Sequence, residues 1–192
     1  MSGTQKKISG YDYVTTIHRE ISVDTSGRLI TVGDATGIAQ ATGRFVDLKP
    51  TVTVTAALYT IGDSIGGKLV LTNAVVASGG VSELVNMTLV DLSNQKPVME
   101  LLFFNADPTA STITDKTGFV LNTADRAKVI ARVPVAAADW VSVNAQGVGS
   151  VVATRGLKAA SGTSLWVAMI AVGAPTFTAT TNLDVRFIVD QH

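Results

Sequence analysis

The chain has 192 residues, 46% of them hydrophobic and 16% charged, with 15 basic and 15 acidic side chains and no cysteine. Its length suits one main domain, and its apolar content excludes a disordered chain, because burial can offset the entropy of ordering. The charge balance speaks against phosphate-backbone binding, since no basic run exceeds Lys6-Lys7, and the missing cysteines exclude disulfides, zinc–thiolate sites and iron–sulfur clusters.

With so few charges, part of the surface is expected to lie under a partner. Met1 to Gly10 is polar and lacks the apolar core of a signal peptide. No apolar stretch reaches the roughly 18 residues of a membrane span, and Val133 to Val143 is interrupted by Pro134 and Asp139. The expectation is a protein made in a reducing cytoplasm, with no membrane and no direct nucleic-acid partner.

Residues 1–48 contain four apolar bursts, Tyr11 to Ile17, Ile21 to Val23, Leu29 to Val32 and Arg44 to Leu48, separated by Asp24-Thr25-Ser26-Gly27 and Gly33-Asp34-Ala35-Thr36-Gly37. They are read either as an extended N-terminal arm or as added strands, ahead of a main domain over residues 49–192. The clearest strand pattern is Thr51 to Tyr59, where Val52, Val54 and Ala56 alternate with Thr51, Thr53 and Thr55. A turn at Gly62 to Gly67 leads to a strand over Lys68 to Thr72, and another follows from Val81 to Asp91. After a loop to Pro97, the dense apolar run Val98 to Asn105 predicts a strand buried on both faces.

Thr109 to Gly118 reads as a polar loop. Thr123 is then the expected N-cap of one short helix of about two turns, with Asp125 in its first turn, Leu121 placed for a staple contact and Pro134 as its stop. Further strands are expected over Ala136 to Val143, Val148 to Ala153, Leu165 to Val172 and Asn182 to Asp190. In the last, Leu183, Val185, Phe187 and Val189 share one face, opposite Asp184, Arg186 and Asp190. Many short strands without long helices predict an all-β fold, a two-sheet sandwich or jelly roll.

The string Gly62-Asp63-Ser64-Ile65-Gly66-Gly67 resembles the nucleophile segment of trypsin-like proteases, with Ile65 inserted where backbone donors would build an oxyanion hole. It also resembles the Gly-Asp-Ser start of a lipase-like family whose triad closes on Asp-x-x-His. Here Asp190-Gln191-His192 is one residue short, and a terminal histidine is poorly held for general-base work. A Gly-rich hairpin turn is the simpler reading, and the chain is expected not to be an enzyme.

His18 is the other of two histidines, too few for a transition-metal site. Asp107 and Asp115 lack the spacing of a calcium loop, so no metal or cofactor is expected. Gly147-Val148-Gly149 lacks the third glycine of a dinucleotide loop and reads as a turn. Among the aromatics, Phe103, Phe104, Trp166 and Phe187 fall on core strands, whereas Tyr11, Tyr13, Tyr59 and Trp140 are the candidates for an interface.

Several phrases carry a broader likeness: Tyr59 to Leu69 with Asn73-Ala74, Leu102 to Pro108 with Thr112 to Asp115, Val135 to Trp140, and Lys158 to Trp166. From Tyr59 to its end the chain resembles a family of small proteins encoded in the structural gene clusters of tailed bacteriophages. The resemblance implies a virion protein, a cement or decoration protein clamping the capsid surface. Its implied partners are the major capsid protein and copies of itself, with a homotrimer expected by analogy with cement proteins at three-fold positions. A carbohydrate- or receptor-binding jelly-roll module of the virion is the alternative. It would need an exposed aromatic platform, for which Trp140 with Asp139 and Asn144 is the candidate.

Overall fold

The structure, a computed structural model, describes residues 8–11, 18–23, 29–30 and 44–192. Two compact units divide the chain, Met1–Ala41 and Thr42–His192. In the first, β1 (Ile8–Tyr11), β2 (His18–Val23) and β3 (Leu29–Ile30) make an antiparallel sheet in that order. The last apolar burst of the N-terminal stretch, Arg44–Leu48, is instead strand β4 of the second unit. It pairs antiparallel with β12 (Leu183–Gln191), Phe187 opposite Leu48 and Gln191 opposite Arg44.

The second unit is an all-β sandwich of two antiparallel sheets. One has five strands in the order β4-β12-β6-β10-β9, where β6 is Val81–Asp91, β10 is Gln146–Lys158 and β9 is Trp140–Val143. The other has four in the order β5-β11-β7-β8, formed by Ser64–Leu71, Leu165–Ala171, Met99–Phe104 and Val129–Val135. The period-two pattern of β12 does what its sequence dictates: Leu183, Val185, Phe187 and Val189 are buried while Asp184 and Arg186 face solvent. Phe187 of β12 meets Phe103 of β7 edge to face, ring centroids 5.8 Å apart, so one aromatic pair joins the two sheets at the middle of the core.

Phe103 and Phe104 are both fully buried although they point to opposite faces of β7. The reason is the long connection from β7 to β8, residues 105–128, which folds back over the outer face of the four-stranded sheet. There Ile113 packs with Phe104 and Ala168, bordered by Leu102, Phe119, Leu121, Val129 and Trp166. The continuous apolar run of β7 thus has a tertiary cause on each face.

Four local expectations change. The alternation expected over Thr51 to Tyr59 holds only to Thr55, with Val52 and Val54 buried and Thr51, Thr53 and Thr55 exposed; Ala56, expected on the valine face, is exposed while Tyr59 is buried, and the segment is no ladder strand. Its backbone is held instead by isolated bonds such as Val54 N–H to the Thr180 carbonyl, 3.1 Å. Gly62 to Gly67 is not a hairpin turn; Ser64–Gly67 belongs to β5, and Gly66 and Gly67 form a bulge where the register with β11 shifts between Ala168 and Met169. The short helix is a 3-10 helix, Thr123–Lys128, capped by Asn122, whose side chain accepts the Ala124 N–H at 3.0 Å. The chain straightens into β8 at Val129, well before Pro134, which sits on an edge strand where its missing N–H breaks no ladder. Finally, Gly147 to Val152 lies within β10, and the reversal before it is made by Asn144 and Ala145, both at positive φ (48° and 65°).

Candidate functional site

The catalytic-looking string is the place to test for chemistry. Ser64 is fully buried, and its Oγ has no hydrogen-bond partner among the described residues. Its backbone is taken up as well: Ser64 N–H donates to the Thr117 carbonyl and Lys116 N–H to the Ser64 carbonyl, both at 2.8 Å. His192 follows Gln191, whose Nε2 donates to the Asn73 carbonyl beyond the far end of β5. The eight residues of β5 therefore separate it from Ser64, on the order of 25 Å along the strand. Ser64 and His192 are not brought together.

What the string does is receive a carboxylate. Asp115 accepts the Gly66 N–H (2.6 Å) and the Tyr59 hydroxyl (2.7 Å) on Oδ1. On Oδ2 it accepts Thr55 N–H (2.7 Å) and Thr55 Oγ1 (2.6 Å). One side chain thus ties the β7–β8 connection to the bulge of β5 and to the 51–59 segment. It also explains why that segment needs no neighbouring strand. The Tyr59 hydroxyl in turn accepts Thr55 N–H at 2.7 Å. Burial, reinforced by the Asp115 carboxylate that the phenol donates to, pushes the Tyr59 hydroxyl well above its usual 10.0.

Asp125 is a second knot. Its buried carboxylate accepts Lys128 Nζ (2.7 Å), Ser111 Oγ (2.7 Å) and Ala110 N–H (2.9 Å). The Lys128 ammonium holds it below the ordinary carboxylate value despite burial. Lys128 Nζ also reaches the Asp107 carbonyl at 2.6 Å, while the Asp107 carboxylate pairs with Lys68. Asp107 and Asp115, the carboxylates considered for a cation, are therefore engaged by the chain's own donors. Among the described residues no three His, Asp or Glu side chains gather as a metal site.

The four interface candidates fall differently. Tyr59 is fully buried and packs edge to face on Phe177, centroids 5.4 Å apart. Trp140 is 6% exposed; its Nε1 donates to the Pro97 carbonyl at 3.2 Å and its ring lies on Gly147 and Gly149. Both are core residues whose polar handle is satisfied inside the unit, and Trp140 presents no platform to a sugar. Tyr11 ends β1 opposite His18, and Tyr13 lies outside the described residues.

The open depressions on the second unit include one of about 270 Å³ and one of about 310 Å³. The first is lined by Lys49, Thr51, Leu183 and Asp184, the second by Arg44, Leu48, Asn73 and Gln191. Neither joins a nucleophile to a base. Among the described residues no helix is long and apolar enough to cross a membrane.

Sequence reasoning placed Asp125 in a first helical turn but missed its burial, and it missed the exposure of Leu58, Ile61, Val120 and Val172, from 42 to 69%. Ile61 did carry a signal, as a single large apolar residue between Thr60 and the turn-forming Gly62-Asp63.

No family model and no curated protein matches the chain. Among solved structures, a chain from the "Structure of infectious bursal disease virus Gx strain" is similar at a TM-score of 0.38 and 10% identity. The match covers 100% of this chain and 38% of that one, so the chain spans well under half the length of its neighbour. A likeness at that level carries no argument about function.

Proposed function

We propose that the chain is a structural protein of a phage virion, a cement or decoration protein that clamps the capsid surface and carries out no chemistry. The observation that supports this most is the fate of the Gly62–Gly67 string. Its serine is sealed in the core and Gly66 and Gly67 form a bulge that receives Asp115, so the residues that looked catalytic are committed to architecture. The sandwich core and the pinned β7–β8 connection suit a rigid clamp, and the likeness of Tyr59 to Trp166 to phage structural proteins supplies the context. On this proposal the partners are the major capsid protein and further copies of the chain in a trimer, and the site of action is the outer capsid surface.

Quantitative mass spectrometry of purified virions, together with an image reconstruction of the particle, tests this. Copies in the hundreds, on the shell, are expected of a cement protein. A few copies at the tail, or none in the particle, would remove the proposal.

A further inference from the structure

The connection from β7 to β8 is closed at its base. Phe104 stands opposite Val129 in the ladder, and Asn105 N–H donates to the Lys128 carbonyl at 2.9 Å, so residues 106–127 leave the sheet and return to it at one point. A segment whose ends adjoin can lift without parting any strand pair of the two sheets. Its apolar contacts also form a cluster of their own. Ile113 with Phe104 and Ala168 is separate from the main core, where Phe103 meets Phe187, so uncovering the first leaves the second closed.

The ties of this segment are few and concentrate on three aspartates. Among the described residues, every side-chain hydrogen bond from residues 106–127 to the strands and the 51–59 segment runs through Asp107, which pairs with Lys68, or Asp115, which takes Gly66, Tyr59 and Thr55. Three backbone bonds between residues 116–119 and Gly62 and Ser64 complete the attachment. The third aspartate, Asp125, keeps the segment folded. Its buried carboxylate gathers Ala110 and Ser111, near the start, onto Lys128 at the end, and Lys128 Nζ holds the Asp107 carbonyl as well. Removing that one charge loosens both ends together.

We propose that residues 106–127 are a latched strap, which opens as a unit over an intact sandwich and uncovers Phe104 and Ala168, with the Asp125–Lys128 pair as its latch. The strap holds or fails on isolated protein, independently of the virion proposal.

Hydrogen exchange read by mass spectrometry on the full chain, at neutral pH over a series of low urea concentrations, is the experiment. In the wild type, the bonded amides of residues 112–120 are expected to exchange at least about tenfold faster than those of β6 and β12, with a weaker dependence on urea. Asp125→Asn is expected to speed that exchange a further tenfold or so, about the loss of one charge-assisted bond, while β6 and β12 keep their rates. Strap amides that share the rate and the urea dependence of β6 and β12 overturn the proposal, because the segment then opens only when the whole unit unfolds. An Asp125→Asn variant that leaves the strap rates unchanged, or raises them by the same factor as β6 and β12, overturns it equally. Should the variant fail to fold, the wild-type series decides.

Discussion

Tyr59 is a core residue with a hydroxyl that must be satisfied, and Asp115 satisfies it. Replacing it with Phe removes a donor from Asp115 and an acceptor from Thr55 N–H, which should cost about 1–3 kcal/mol by urea unfolding at neutral pH. The pH dependence has a definite sign. Because the folded state holds the phenolic proton more tightly than the unfolded chain does, Tyr59 contributes its full stability below the usual 10.0 and loses it as pH rises beyond. Wild-type unfolding midpoints should therefore fall more steeply than those of Tyr59→Phe from about pH 10 upward; parallel curves would refute the assignment. Trp140 makes a second residue-scale case. A Cβ on Gly149 would sit 3.0 Å from Trp140 Cε3 and 3.1 Å from Cδ2. Gly149→Val should cost about 1–3 kcal/mol through overpacking and shift tryptophan emission to the red as the indole is displaced. Neither role was legible in the sequence, where both aromatics stood as interface candidates. A side chain with an apolar body and a polar tip suits a surface or a core equally, and only its partners decide which.

At the scale of elements, the bulge of β5 is tied through Asp115 to both the β7–β8 connection and the 51–59 segment. Gly66 has φ of +71°, and a Cβ there would lie 2.6 Å from Val52 Cγ1. Gly67 has φ of +69° but no neighbour closer than 3.6 Å. Gly66→Ala should thus cost about 2–3 kcal/mol, combining backbone strain with a clash, and Gly67→Ala about 1 kcal/mol from strain alone. Equal losses in thermal unfolding would show that Val52 yields freely. Strands β6, β7, β11 and β12 were readable within a residue or so of their ends, because alternation or a dense apolar run marks them directly. The segment 51–59 was not. Alternation reports which side chains are buried; it does not report whether the backbone has a ladder partner, and here Asp115, distant in sequence, supplies one of the bonds that a strand would.

At the largest scale, the stability of the second unit rests on its two sheets meeting across the main core. Phe187→Ala opens a void against Phe103 and should cost about 3–5 kcal/mol in chemical denaturation, with the linear slope unchanged if the unit still unfolds in one step. A loss below about 1 kcal/mol would mean that the sheets close over the void. Composition and periodicity alone determined that this chain is β-rich, sandwich-forming and free of cysteine chemistry, since those properties depend on local pattern and residue inventory. The tertiary structure decided the rest. It buried Ser64, Tyr59 and Trp140, covered the outer face of β7 with residues 105–128, turned two glycines into a bulge for Asp115, and left Leu58, Ile61, Val120 and Val172 exposed. Each of these depends on segments far apart in sequence coming into register, and no local window of residues records that.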